Sequence, residues 1–137
     1  MAYPFRQLTV AGHDRGLVPG TAEFELLAWC ADDFTGLWVA FEFARTYAGA
    51  QSFSEQREIV LTIIHKLLDA GLIRLGEMSS EIRGLSYWTG NTTSQRRRLD
   101  EYISGLSGPP TPEANVWLHA TLTGKHIVSE ALDRPEN

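Results

Sequence analysis

The sequence lacks most features that would assign a function directly. Its single cysteine, Cys30, cannot form an intramolecular disulfide, and its position in the apolar stretch ELLAWCADD predicts a small buried thiol. No apolar run approaches the ~20 residues that a membrane span needs. The N-terminal MAYPFRQLTVAG has no basic region followed by an apolar run, so we predict no signal peptide and expect a cytoplasmic protein.

Catalytic and metal-binding signatures are also missing. The patterns HExxH, GxSxG, GxxxxGKS/T and GxGxxG do not occur. His65 and His126 each precede a carboxylate by four residues, but neither pair has a third ligand nearby in sequence. The adjacent Asp32 and Asp33 fit capping or solvent exposure better than an acid–base pair. We therefore predict no enzyme, no metal and no cofactor.

Positive charge is scarce. The chain has 12 Lys and Arg residues against 17 Asp and Glu residues, a net charge of −5 at pH 7. Proteins that neutralise DNA phosphates usually carry the opposite sign, because counterion release supplies most of their non-specific affinity. A hydrophobic content of 43% in 137 residues predicts one globular domain spanning 1–137.

Apolar residues recur at helical spacing in several segments. Ile63 and Leu67 belong to the widest such stripe and are expected to be buried. Residues 1–20, which contain several Gly and Pro, are predicted to form an irregular arm. The predicted helices cover 22–31, 36–48, 53–70, 93–105 and 123–132, and the predicted strands, paired antiparallel, lie near 72–75 and 116–121.

Residues suited to helix ends support these assignments. Thr21 and Thr35 are predicted N-caps for the first two helices. Two further pairs, Ser52 with Glu55 and Thr92 with Gln95, have the spacing of a capping box. In this motif the hydroxyl of the first residue accepts from the backbone amide of the second, and the side chain of the second accepts from the backbone amide of the first. Gly71 can adopt the left-handed conformation that ends the third helix.

Two segments together resemble a known family. IIHKLLDAGLIRLG, followed later by VWLHATLTGKHIVSEAL, is similar to the end of the third helix, the wing and the last helix of MarR-like winged-helix proteins. The longer pattern also resembles small uncharacterised actinobacterial proteins of this architecture. The resemblance implies an α+β, mostly helical fold with a winged-helix-like three-helix core and a two-stranded wing. Its motifs are short and mostly structural, so the resemblance indicates the fold more than the function.

The sequence departs from the family in the wing. Residues 76–115 contain a further predicted helix between the two wing strands, where an ordinary wing is a short hairpin. This insertion carries LSYWTGNTTSQRRR, which combines aromatics with the only basic cluster. A solvated helix face is the simplest interpretation of these arginines. Exposed aromatics beside arginines are also typical of protein-binding hot spots, and Trp88 is expected to be partly exposed.

Two functions remain open at this stage. The first is a non-enzymatic protein-interaction or regulatory domain whose partner would contact the insertion. Such a domain could be of immunity type or could associate with itself. The residues proposed for that contact are Tyr87, Trp88, Arg96, Arg97 and Arg98. The alternative is a homodimeric DNA-binding transcriptional regulator using Gln56, Arg57, Lys66 and Arg74. Residues 54–70 have two basic and three acidic side chains, which favours the first function.

Overall fold

A computed structural model describes residues 17–79, 84–113 and 115–133, and it shows an α+β architecture within them. Most of the predicted irregular arm (residues 1–16) lies outside the described residues, as do residues 80–83 and 114 of the insertion. Each predicted helix is confirmed with ends within two residues of the expected ones. The elements are α1 (Ala22–Asp32), β1 (Thr35–Gly36), α2 (Leu37–Thr46), α3 (Phe53–Asp69), β2 (Ile73–Ser79), β3 (Gly84–Tyr87), α4 (Thr92–Ser104), β4 (Val116–Ala120) and α5 (Leu122–Asp133).

The four strands form one antiparallel sheet in the order β1-β4-β2-β3. The strand predicted after the third helix is β2, and the strand predicted near 116–121 is β4. Their predicted antiparallel pairing is confirmed, since Ile73 lies opposite Ala120 and Glu77 opposite Val116. The sequence did not predict that β2 continues to Ser79 and pairs with β3 along its other edge. The insertion therefore begins by widening the sheet before it forms α4.

The core lies between one face of the sheet and the helices. Ile73 and Leu75 of β2 are buried, whereas Arg74 between them is exposed, as expected for side chains that alternate across a sheet. Ile63 and Leu67 of α3 are 1% and 0% exposed, which confirms the predicted buried stripe. The side chains of the helices thus complete the core over only one face of the sheet.

The C-terminal end of α3 matches the sequence-based expectation, and the N-terminal end matches it in part, because the Glu55 carboxylate bonds to the amide one residue before the predicted one. The Ser52 hydroxyl accepts from the Glu55 amide at 3.1 Å, and the Glu55 carboxylate reaches back to the Gln51 amide at 2.6 Å. At the other end Gly71 has φ +74°, and the Leu72 amide donates to the Leu67 carbonyl at 2.9 Å. This is the Schellman geometry, in which the left-handed residue is nearly always glycine.

Thr21 is also confirmed as the N-cap of α1, but two other predicted caps were wrong. Thr35 lies in β1, buried, while Gly36 occupies the cap position of α2 without a side-chain bond. Asn91 rather than Thr92 caps α4, because its side-chain oxygen accepts from the Ser94 amide at 2.8 Å. Asparagine and threonine both suit this position, so neighbouring cap candidates are hard to separate from sequence.

Cys30 is fully buried in α1, as predicted. Burial raises the pKa of its thiol to about 12, opposed by a weaker effect of a hydrogen bond with Thr35. The thiol is therefore protonated at neutral pH and fills space in the core.

Two contacts fix the later elements against this core. Leu99 and Ile103 of α4 are both fully buried, so the inserted helix shares the core of the domain. At the start of α5, Gly124 lies so close to the Leu72 carbonyl that a Cβ atom there would overlap it. The LTG sequence that begins α5 therefore reflects close packing of this helix against the residue before β2.

Candidate protein-interaction surface of the insertion

The arginines of α4 bind mainly to other parts of the domain. Arg96 pairs with Asp69 of α3 at 3.1 Å, and Arg98 pairs with Glu77 of β2 at 2.7 Å. Arg97 is exposed and makes no ion pair with any residue in the described ranges. Of the three basic residues proposed for a partner, Arg97 is thus the one whose guanidinium is not engaged by any residue that the structure describes.

Trp88 does not meet the expectation of partial exposure. It is 7% exposed, because the chain leaving β3 stays hydrogen-bonded to the sheet through Trp88 N and Leu75 O at 2.8 Å. The Arg98 guanidinium covers its ring at 4.1 Å, a cation–π distance. The polar neighbours YWTGNTT suggested solvent, but the arginine ten residues later shields the indole. Trp88 therefore joins α4 to the sheet and is not an exposed anchor.

The outer face of the sheet holds a second group of candidate side chains. Arg74 lies over the Tyr87 ring at 3.6 Å, and the Tyr87 hydroxyl shares a hydrogen bond with His119 Nδ1 at 2.8 Å. Phe34 meets the His119 ring edge-on, with centroids 4.5 Å apart. These four residues come from the loop before β1 and from β2, β3 and β4. We call them the Tyr87 cluster.

Sequence reasoning had selected Tyr87 and Arg74 for different functions and had missed His119 and Phe34. The strand register explains why these residues meet. Arg74 lies opposite His119, and Tyr87 lies opposite Gly76, which is two residues after Arg74 on β2. Strand pairing across the insertion therefore places all of them on one face. Burial lowers the pKa of His119, assisted by Lys125 and Arg74 and opposed by Asp33, so the imidazole tends to be neutral.

The surface of α3 differs from that of a DNA-reading helix. Gln56, predicted to face outward, is 5% exposed, and its amide donates to the Phe41 carbonyl at 3.0 Å. The prediction of an outward Gln56 is therefore wrong, since the apolar stripe of α3 is wide enough to include this position. Arg57 lies 5.3 Å from the Phe53 ring, and Lys66 is only partly exposed.

The inserted helix covers the C-terminal half of α3. His65 Nε2 lies 2.7 Å from Asp100 Oδ1 of α4, one helical turn from the Arg96–Asp69 pair. The exposed side chains of α3 include Glu55, Glu58 and Thr62. The exposed charged side chains of α3 are thus acidic, while its two basic side chains, Arg57 and Lys66, are only partly exposed.

Nothing among the described residues suggests a metal centre or a membrane segment. No group of three or more His, Cys, Asp or Glu side chains in those ranges is placed to hold a metal ion. His126 and Glu130, whose spacing allowed a metal pair, form a surface pair at 3.3 Å. No helix within the described part of the chain is long and apolar enough to cross a bilayer. Comparison with protein-family models, with curated proteins and with solved structures found no match for this chain.

Proposed function

We propose that this chain is a winged-helix-like domain that acts as a protein-interaction module through its insertion. The order of α1, β1, α2, α3, β2 and β4 supports the fold assignment, as does the pairing of β4 between β1 and β2. In this interpretation β2 and β4 are the wing strands, and β3 with α4 is an addition between them. A final helix, α5, follows the second wing strand, as in the proteins that the sequence resembles.

The position of α4 carries the functional proposal. A winged-helix DNA reader places the outward face of its third helix in the major groove. Here that helix is partly covered by α4 through the His65–Asp100 and Arg96–Asp69 contacts. DNA entry would require these contacts to break and would bring phosphates towards Glu55 and Glu58. Both effects disfavour the DNA-binding alternative, which also loses Gln56 to the core.

The insertion offers a protein partner a different kind of surface. Arg97 is accessible, and the Tyr87 cluster on the outer sheet face combines rings with the guanidinium of Arg74. Tyrosine and arginine are enriched among residues that dominate binding energy at protein interfaces. The partner would be another protein, of immunity or regulatory type, or a second copy of this chain.

Site-specific photo-crosslinking in the native host tests this proposal. A photoreactive amino acid replaces Arg97, and a matched control places it at the exposed Glu58 of α3. We expect a discrete protein adduct from position 97 and none from position 58. Tyr87→Ala in the position-97 protein should reduce the adduct if the Tyr87 cluster belongs to the same surface. Adducts to DNA, or equal protein adducts from both positions, would contradict the proposal.

A further inference from the structure

A second surface, beside α1, combines apolar side chains with carboxylates. A groove of about 560 Å³ is lined by Trp29 and other apolar residues, with three carboxylates along it. Trp29 is 51% exposed, an unusual state for so large an apolar side chain. The apolar lining is Pro19, Phe24, Ala28, Trp29 and Leu132, and the acidic residues are Glu25, Asp32 and Asp33.

The indole of Trp29 is held in place without being covered. Its ring meets that of Phe43 edge-on, with centroids 5.5 Å apart and planes at 87°. Phe43 in turn packs edge-on against Tyr47 at 5.1 Å. A ring supported in this way loses little conformational freedom when a ligand binds, which favours affinity.

The charges of the groove are all of one sign. Its lining contains no Lys or Arg among the residues that the structure describes. Glu25 accepts from the Gly20 amide at 2.9 Å and Asp33 from the Phe34 amide at 2.7 Å, while Asp32 makes no hydrogen bond or ion pair to any described residue. Within the described ranges, no Lys or Arg side chain of the lining offsets the negative potential of the groove.

The position of these carboxylates on the helix is unfavourable for folding. Asp32 is the last residue of α1 and Asp33 its C-cap, and the last turn has no basic residue. The carbonyls at a helix C-terminus carry partial negative charge, so carboxylates there are destabilising and cations stabilising. A cation bound in the groove would remove this repulsion and would also lie beside an aromatic face.

We propose that this groove binds an arginine- or lysine-containing segment of a protein partner. The cation would lie on the Trp29 indole, with its charge towards Asp32 and the C-terminal carbonyls of α1. Charge complementarity identifies the occupant, because the same groove repels nucleic acid and acidic peptides. This inference is independent of the insertion surface, since it concerns other residues on other elements.

Peptide binding to the full chain tests the proposal. The probe is a fluorescein-labelled hexa-arginine peptide, and its matched control has citrulline at every position, which removes the charge and keeps the shape. Fluorescence anisotropy should show binding of the arginine peptide alone. The affinity should fall with added salt, because exposed charges are screened.

Two variants assign the binding to the groove. Trp29→Ala should weaken it by about 2- to 30-fold, the range of a cation–π contact, and leave its salt dependence unchanged. Asp32→Asn should weaken binding and flatten the salt dependence. The same variant should raise the thermal midpoint of unfolding by about 1–4 °C, because it removes a charge repelled by the helix end. A merely structural Asp32 would instead lower the midpoint.

Matched variants outside the groove complete the experiment. Leu122→Ala removes an exposed apolar side chain, and Glu58→Gln removes an exposed carboxylate, neither of which lines the groove. Both should bind the peptide as the unmodified chain does. Equal loss in Glu58→Gln would show non-specific attraction to an acidic protein and overturn the proposal. Equal binding of the citrulline peptide, or unchanged binding by both Trp29→Ala and Asp32→Asn, would also overturn it.

Discussion

Leu99→Ala tests whether the inserted helix belongs to the core. Leu99 is fully buried, and it and Ile103 are the buried residues of α4. Transferring a leucine side chain from water to the interior is worth about 1.5–3 kcal/mol. The cavity left by truncation adds to that loss, so we expect the free energy of unfolding to fall by about 2–5 kcal/mol. By contrast, Arg96→Ala removes a half-exposed ion pair and should cost at most about 1 kcal/mol.

Urea denaturation followed by circular dichroism measures both variants, with Ile63→Ala of α3 as a core reference. If α4 shares the core, Leu99→Ala and Ile63→Ala shift the unfolding midpoint by similar amounts with an unchanged slope. A loss below about 1 kcal/mol for Leu99→Ala, with a full loss for Ile63→Ala, would refute the reasoning. The inserted helix would then be an appendage that can leave α3, and the argument against DNA binding would fail.

Three further outcomes follow from single contacts. Gly124→Ala should lower the free energy of unfolding by about 1–3 kcal/mol or more, because the new methyl overlaps the Leu72 carbonyl; calorimetry that shows an unchanged midpoint would contradict this packing. Cys30 should react with a disulfide reagent only when the protein unfolds, since its pKa of about 12 and its burial keep it a thiol; rapid labelling of the native chain would be inconsistent with that. Folding should weaken as the pH falls below 6.5, the ordinary pKa of histidine, because the unfolded chain then binds a proton that folded His119 resists; His119→Gln should lose stability less steeply, and an identical pH profile would exclude this cause.

Periodicity and helix-end chemistry predicted the helices because both are local. The stripe containing Ile63 and Leu67, the capping box at Ser52 and the glycine at 71 each depend on residues within two turns of one another. The antiparallel pairing of β2 with β4 was also predicted, but through the family resemblance and not from a local pattern. The helices and their ends therefore need no knowledge of distant contacts, whereas the strand pairing does.

The candidate site could not be predicted to the same extent, because it depends on contacts between distant residues. The Tyr87 hydroxyl bonds to His119, 32 positions away, only because β2 pairs with both β3 and β4. Trp88 is covered by Arg98 and by the core, although its sequence neighbours are polar. Gln56 is buried, and its side-chain amide donates to the Phe41 carbonyl of α2. Burial of a polar residue depends on such a partner, which a local pattern does not reveal.

The central proposal is that this domain contacts protein and not DNA, because α4 covers part of α3 and the exposed charged side chains of α3 are acidic. Selection from a random duplex oligonucleotide pool at physiological salt, performed with the full chain, tests it most directly. We expect no sequence to be enriched, and no salt-dependent affinity for random duplex above that of an acidic control protein. Enrichment of a palindromic sequence whose binding is lost in Arg57→Ala and Lys66→Ala would contradict the claim and restore the homodimeric regulator.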